Sequence, residues 1–175
     1  MKLTTKGRYG LRALIDLAVH EEEGAVSTQS IAERQELSES YLEQLMRSLK
    51  KAGLVQSVRG AGGGYRLAKP AGQISVGDVL RALEGNLDAV SCPAIKDIPG
   101  LKNLDIAALK DFKNLDALKS MSACDSAELC VTKVVWKRIN DAIAAAVDSM
   151  MLDELVTESR ALLEGREDVT VSCKN

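Results

Sequence analysis

The stretch Ser38–Ala52 divides cleanly into an apolar and a polar face when it is drawn as a helix. The apolar residues recur at helical spacing and comprise Leu42, Leu45, Met46 and Leu49. The polar face comprises Ser40, Glu43, Gln44, Arg47, Lys50 and Lys51. Ser38 can cap the start through its hydroxyl, and Gly53 suits the left-handed residue after a helix end. The pattern predicts a helix held by one face, with hydrogen-bonding groups near its start and cations near its end.

Such a helix suits the major groove of DNA, because short polar side chains contact base edges while Lys and Arg meet the flanking phosphates. Ordinary surface helices share this division into two faces, so the neighbouring segments must decide whether this helix is one of them or binds DNA. A shorter helix is expected just before it, beginning at Ser27 or Thr28 and ending at Arg34 or Gln35. The turn Glu36–Leu37 between the two helices indicates a helix-turn-helix arrangement.

A β-hairpin is expected directly after these helices. Leu54–Arg59 and Tyr65–Ala68 form its strands, and the glycine-rich segment Gly60–Gly64 forms its tip. The tip is either a flexible turn or a close contact with a sugar–phosphate strand, with Arg59 and Arg66 supplying charge at its base. A nucleotide-binding loop is disfavoured, because no helix follows directly. Helix, turn, helix and hairpin in this succession predict a winged helix.

A first helix is expected from Thr4 or Thr5 to about His20. Its start is crowded by four cations: Lys2, Lys6, Arg8 and Arg12. Because a helix N-terminus favours negative charge, this crowding invites an anion such as a phosphate, with a solvated charged end as the equal alternative. Farther along, Ser75–Glu84 predicts a helix that starts with a capping box of Ser75 and Asp78.

The segment Ser126–Met150 predicts one long helix with two adjacent apolar stripes. One stripe comprises Val131, Val135, Ile139, Ala142 and Ala146, and the other comprises Trp136, Ile143, Val147 and Met150. Together they are wider than a helix resting on a small domain needs, which favours paired helices in a two-fold dimer over an intramolecular core helix. A short closing helix is expected at Leu152–Leu163. The predicted organisation is a winged helix at 1–85, an irregular cysteine-bearing excursion at 86–125, dimerisation and closing helices at 126–163 and a loose tail at 164–175.

Charge and composition restrict the function. Residues 1–70 hold 11 Lys and Arg against 8 Asp and Glu, and the remainder holds 12 against 17, so the basic part is expected to face a polyanion. The apolar run Leu11–Val19 is broken by Arg12 and Asp16, which argues against an export signal, and no run is long enough to cross a membrane. A soluble, cytoplasmic protein is expected. An enzyme is not, because the single histidine, His20, has no recognisable nucleophile partner in the sequence.

Three blocks of sequence resemble the IscR/NsrR/CymR-type winged-helix regulators of bacteria: MKLTTKGRYGLRAL, LSESYLEQLMRSLKKAGLVQSVRGAGGGYRL and SVGDVLRALEG. The resemblance covers residues 1–92 and returns in VWKRINDAI and LDELV. It implies a mainly α-helical fold with a small β-wing and a long C-terminal dimerisation helix. It also implies a homodimeric transcription factor, expected to be a repressor, on a palindromic DNA operator. A winged-helix module that docks a protein partner is the rival from another class.

The resemblance assigns DNA contacts position by position. Groove-facing positions are Ser38, Ser40, Glu43 and Gln44, where Gln44 suits adenine and Glu43 can accept from a cytosine amino group. Expected phosphate contacts are Tyr41, Arg47, Lys50 and Arg59. The wing residues Gly62, Gly63 and Gly64 are expected along the backbone or in a minor groove.

The resemblance also maps Cys92, Cys124 and Cys130 onto the family's three iron–sulfur ligands, for a cluster expected to be [2Fe-2S]. The long spacing before Cys124 does not exclude a shared site. Lengthening a loop from about five to about thirty residues adds on the order of 1.6 kcal/mol, whereas a metal site supplies on the order of 10 kcal/mol. The fourth ligand is open, because Lys133 occupies the place of the family's histidine and Arg8 that of the acidic residue that some relatives borrow from the partner. The alternatives are Asp125, Glu128, Thr132, Cys173 and an N-terminal residue such as His20. A [4Fe-4S] cluster, a metal-free thiol switch of Cys124 with Cys130, and incidental thiols remain alternatives.

Overall fold

The computed structural model describes residues 3–60, 62–92 and 130–164, which are mainly helical with one two-stranded antiparallel sheet. In chain order the elements are α1 (Thr5–His20), α2 (Thr28–Gln35), α3 (Glu39–Lys51), β1 (Val55–Val58), β2 (Gly64–Leu67), α4 (Val76–Glu84), α5 (Thr132–Ser149) and α6 (Leu152–Glu164). The chain divides into two compact units. Of the described residues, the first unit holds 3–60, 62–87 and 144–164, and the second holds 88–92 and 130–143. The predicted fold class is confirmed.

The core of the first unit is built on the apolar stripe of α3. Leu42, Leu45, Met46 and Leu49 are all buried, as the sequence pattern predicts. They share one cluster with Leu14 and Leu17 of α1, Ile31 of α2, and Leu152 of α6. Burying each large apolar side chain contributes roughly 1.5–3 kcal/mol, so this stripe holds α3 firmly in the unit.

The caps of the helices explain where they start. Thr4 caps α1 by accepting from the backbone N–H of Lys6, and Ser27 caps α2 by accepting from that of Ser30. The predicted capping box of Ser75 and Asp78 is present on α4. At α3, however, Ser38 occupies the N-cap position without any side-chain cap hydrogen bond. The predicted hydroxyl cap is therefore wrong, and this exposed hydroxyl is free for another partner.

The wing is tied to the body of the unit along strand β2. Val55 pairs with Leu67 and Val58 with Gly64 in the hairpin register. On its other side, β2 forms a backbone bridge between Tyr65 and Val26, with N···O distances of 2.8 and 2.9 Å. Because β2 has backbone partners on both sides, the wing is a built extension of the helix-turn-helix rather than a loose hairpin.

Helix α5 differs from its predicted bounds. It begins at Thr132 rather than Ser126, so Cys130 and Val131 precede the helix, and residues 126–129 lie outside the described residues. The predicted closing helix is confirmed as α6. Most of the predicted excursion and most of the tail also lie outside the described residues. Among the residues that the structure describes, no helix has both the length and the apolarity needed to cross a membrane.

Candidate nucleic-acid interface

The polar face of α3 points away from the core. Ser38, Ser40 and Gln44 are exposed, and so are Arg47 and Lys50. They follow one another along a single helix face, because α3 is held from the opposite side by its buried stripe. Short hydrogen-bonding groups thus precede cations along the same surface. That is the arrangement needed to contact base edges and then phosphates.

Two residues of this face form an ion pair. Arg47 Nη2 lies 3.3 Å from Glu43 Oε2, one helical turn away, with 74% of the arginine side chain and 46% of the glutamate side chain exposed. Exposed pairs of this kind contribute about 0–1 kcal/mol, so a phosphate can replace the carboxylate at little cost. Glu43 therefore holds Arg47 loosely and releases its own acceptor oxygens when Arg47 moves.

Lys50 connects α3 to the wing. Its Nζ donates a hydrogen bond of 2.6 Å to Ser57 Oγ on β1. An ammonium group has three donors, so two remain for an anion such as a phosphate. This hydrogen bond holds the Lys50 ammonium group at the junction of α3 and the hairpin, so its positive charge lies beside both elements.

The structure places Tyr41 differently from the other expected phosphate contacts. Its hydroxyl is buried and has no hydrogen-bond partner in the described part of the chain. Its ring meets that of Tyr9 edge-on, with 6.3 Å between centroids, and the guanidiniums of Arg8 and Arg12 lie over the Tyr9 ring. A phosphate can reach the Tyr41 hydroxyl only if the surrounding side chains move.

A buried carboxylate on α1 joins the first two helices. The sequence analysis did not predict this contact. Asp16 accepts from Arg34 at 2.7 Å and from Gln35 at 3.0 Å. The hydrogen bond to Asp16 raises the pKa of Arg34 above its ordinary value. Gln35 in turn accepts from Arg12 at 3.0 Å. The sequence contained one signal for this contact. Asp16 lies among the inward, mostly apolar positions of the first helix, and a buried charge requires a partner.

The anion at the start of α1 belongs to the chain itself. Glu84, the last residue of α4, accepts from the backbone N–H groups of Thr4 at 2.9 Å and Gly7 at 2.8 Å. Burial opposes ionisation, but the hydrogen bonds from Thr4 and Gly7 hold the pKa of Glu84 below its usual value. The Glu84 carboxylate thus supplies the negative charge that the N-terminus of α1 favours. Neither of the two alternatives that the sequence left open, a bound phosphate or a solvated charged end, describes this site.

The three wing glycines differ in what surrounds them. A Cβ at Gly64 would overlap the carbonyl oxygen of Val26, and a Cβ at Gly63 would lie 2.8 Å from the carbonyl oxygen of Val58. Gly63 is therefore needed for the hairpin itself, and Gly64 for the close approach of β2 to the segment at Val26. A Cβ at Gly62 would meet nothing within 4 Å among the described residues. Of these three glycines, Gly62 alone has no contact among the described residues that requires glycine. A requirement for glycine there would come from a bound partner such as DNA. Arg59, at the base of this tip, is exposed.

Two of the predicted cluster ligands are described. Cys92 and Cys130 are free thiols of intermediate exposure, whereas Cys124 lies outside the described residues. Cys130 Sγ lies 3.0 Å from Thr132 Oγ1, and this hydrogen bond lowers the pKa of the thiol. Lys133, at the place of the family's histidine, is buried. Within residues 3–60, 62–92 and 130–164, no three His, Cys, Asp or Glu side chains gather as a metal site.

Comparison with known proteins gives consistent relatives. The profile of the Rrf2 family, described as iron-dependent transcriptional regulators, matches residues 3–158. The HTH-type transcriptional regulator IscR of Pectobacterium carotovorum is 37% identical over 172 residues, which cover 98% of this chain and 89% of the relative. The IscR of Pectobacterium atrosepticum is 38% identical over 162 residues, covering 93% and 83%.

Two solved structures resemble the chain over most of its length. CymR of B. subtilis, the global cysteine regulator, superposes with a TM-score of 0.63 at 36% identity, covering 90% of this chain and 98% of CymR. IscR of T. potens superposes with a TM-score of 0.60 at 38% identity, covering 98% of this chain and 93% of that structure. The winged-helix architecture predicted from the sequence is the one that these relatives share.

Proposed function

Because the chain belongs to the Rrf2 family of DNA-binding transcriptional regulators, which are not enzymes, we propose that it acts as a homodimeric repressor on a palindromic operator. Each copy inserts α3 into one major groove and lays its wing along the flanking backbone. The observation that carries this proposal is the exposed polar face of α3 opposite its buried stripe. A protein-docking role for this face is not needed to explain it.

The residues of α3 divide by role. Gln44 pairs with an adenine and Glu43 accepts from a cytosine amino group, while the hydroxyls of Ser38 and Ser40 contact adjacent base edges. Arg47 exchanges Glu43 for a phosphate, and this exchange is what frees the Glu43 oxygens. The contact therefore couples phosphate binding to base recognition within one helical turn.

The wing and the helix end supply the remaining contacts. Lys50 and Arg59 neutralise phosphates on either side of the wing base, and the bare surface at Gly62 allows the backbone of the tip to approach the DNA closely. Gly63 shapes the hairpin, and Gly64 allows the hairpin to lie against Val26, which together bring Gly62 there. Tyr41 supports the first turn of α3 by packing on Tyr9 and joins a phosphate contact only when its hydroxyl becomes accessible.

DNA recognition is tested by selecting a duplex from a randomised library and measuring its binding at increasing salt. The affinity should fall steeply, with a slope of about −0.9 per phosphate contact on a log–log scale. A scrambled duplex of the same composition is the control. A selected sequence without two-fold symmetry, or equal affinity for both duplexes, would contradict the proposal.

Dimerisation is carried by an apolar row that begins at Val131, just before α5, and continues along that helix. Val131, Val135 and Ile139 are 65%, 48% and 37% exposed, and Ala142 and Ala146 are also exposed. Three branched aliphatic side chains in one exposed row favour association with a second apolar surface. A second copy of the same helix meets this need with two-fold symmetry, and two-fold symmetry matches a palindrome.

The cysteines form the sensing part. The donor chemistry fits an iron–sulfur group, because Cys92 and Cys130 are free thiols and the lowered pKa of Cys130 favours the thiolate that such a group binds. Cys92, Cys124 and Cys130 would hold a [2Fe-2S] cluster with a fourth ligand not assigned. When bound, the cluster supplies a centre that responds to oxidants and to iron supply. A metal-free thiol switch is the second candidate, favoured by the same lowered pKa.

An anaerobic absorbance spectrum with iron and sulfide counts separates these two candidates. Two iron and two sulfide per chain with visible absorption bands support the cluster, and alanine substitution of Cys92 or Cys130 should abolish both. Colourless protein without iron, whose DNA binding changes after treatment with an oxidant and recovers with a thiol reductant, would instead establish the thiol switch.

A further inference from the structure

The side-chain amide of Asn140 joins the segment that leads into Cys92 to helix α5. The backbone N–H of Ala89 donates to Asn140 Oδ1 at 2.8 Å, and Asn140 Nδ2 donates to the carbonyl oxygen of Val90 at 3.1 Å. Both ends of one amide are used, one as an acceptor and one as a donor. The pairing therefore fixes both the position and the direction of the backbone at residues 89–90.

Burial of apolar side chains contributes little to holding this segment on α5. Leu87 is the last buried side chain before the cysteine, whereas Ala89, Val90 and Cys92 are half-buried and Ser91 is exposed. Small or half-exposed side chains remove little apolar surface from water, so they hold a backbone weakly. Directional hydrogen bonds to Asn140 are then a major restraint on the segment.

The restraint acts close to Cys92. Only Ser91 separates Val90 from Cys92, so their Cα atoms lie at most about 7 Å apart. Asn140 lies about 12 Å along the helix axis from Thr132, the first residue of α5, and Cys130 precedes that end. Fixing Val90 on α5 thus limits the region that the Cys92 thiol can sample relative to Cys130.

We propose that Asn140 is a positioning residue for the cysteine site. It holds the arm bearing Cys92 against α5, so that this thiol is placed before a metal group binds. The inference rests on the proposed iron–sulfur function, which it deepens. Residues that orient metal ligands typically change metal affinity 10–100-fold when they are replaced.

The test uses the full chain and two substitutions at this position. Asn140→Leu removes both hydrogen bonds while keeping a branched side chain with the same number of heavy atoms, and Asn140→Asp keeps the acceptor for Ala89 but loses the donor to Val90. Arg138→Ala, at an exposed position on the same helix, is the matched control. The readouts are the alkylation rate of the Cys92 peptide in iron-free protein, by mass spectrometry, and iron loss to a chelator after anaerobic reconstitution. Circular dichroism checks that each variant is folded.

In Asn140→Leu, Cys92 should be alkylated faster than in the wild type, and iron should be lost roughly tenfold faster. Asn140→Asp should lie between the two, and Arg138→Ala should match the wild type. Wild-type rates in folded Asn140→Leu would overturn the proposal. If that variant unfolds, Asn140→Asp decides in the same way. If the wild type takes up no iron, the cluster proposal fails, and Cys92 alkylation alone then supports or overturns the role of Asn140.

Discussion

Helices α3 and α5 are both amphipathic, yet the chain uses their faces in opposite ways. The apolar stripe of α3 is buried within its own unit, and its polar face is left open. In α5 the row containing Val135 and Ile139 is exposed, although it has the same helical spacing. Under the proposed function, this difference means that the DNA-contacting surface is complete in one chain, whereas the α5 surface is covered by a second chain. The following changes test this contrast, from the largest expected effect to the smallest.

Placing charge on the α5 row should have the largest effect on DNA binding. Val135→Glu with Ile139→Glu is expected to yield a monomer, because two carboxylates cannot be buried unpaired at a symmetric contact. In a monomer, binding at one half-site no longer raises the effective concentration of protein at the other. Operator affinity should therefore fall on the order of 10²–10⁴-fold. Light scattering and anisotropy measure the two effects. A dimer that survives both substitutions would remove α5 from the interface.

Matched truncations in the two helices should differ in stability. Leu45→Ala in α3 should lower the free energy of unfolding by about 2–5 kcal/mol, because it opens a cavity in the core. Ile139→Ala, at an exposed position, should cost far less when measured in the monomeric background, where no partner covers it. Urea unfolding compares them. Equal costs would mean that α5 is covered within its own chain.

Removing the amide of Gln44 should weaken specific binding without loss of stability. Gln44→Ala is expected to cost about 1–3 kcal/mol on the selected operator and nothing on a scrambled duplex. Gln73→Ala, at an exposed position in the turn before α4, is the matched control. If both duplexes lose affinity equally, Gln44 contacts the backbone rather than a base.

A methyl group at Gly62 should affect DNA binding alone. Because a Cβ there would meet nothing in the described chain, Gly62→Ala should leave thermal stability nearly unchanged while weakening operator binding. Gly64→Ala should instead lower stability, since its Cβ would overlap Val26. Thermal melts and anisotropy together distinguish a DNA-contacting glycine from a structural one. Full operator affinity in Gly62→Ala would place the DNA away from the tip.

The smallest effect is expected at Tyr41. Its buried hydroxyl lacks a partner, so Tyr41→Phe should be neutral or stabilising by up to about 1 kcal/mol. Operator affinity should stay the same if the hydroxyl remains buried on DNA. A clear loss of affinity with an unchanged melting temperature would show that the side chain turns outward to a phosphate.

Local patterns predicted the elements of the winged helix well, because helices, caps and hairpins depend on residues a few positions apart. The apolar stripe of α3 and the capping box of α4 follow from such spacing alone. The start of α5 was predicted six residues early, since the residues before Thr132 are compatible with a helix but do not belong to one where the structure describes them. The cap at Ser38 failed because a hydroxyl in the right position need not turn toward the helix.

What the sequence by itself determined is the order of elements and the chemistry of the α3 face. The tertiary structure alone decided that Glu84 occupies the N-terminus of α1, that Gly64 is needed against Val26, and that Asn140 holds the segment before Cys92. Each of these contacts joins residues many positions apart, and the same side chains fit many other partners equally well. Only the packing of the helices and the hairpin brings those particular groups together.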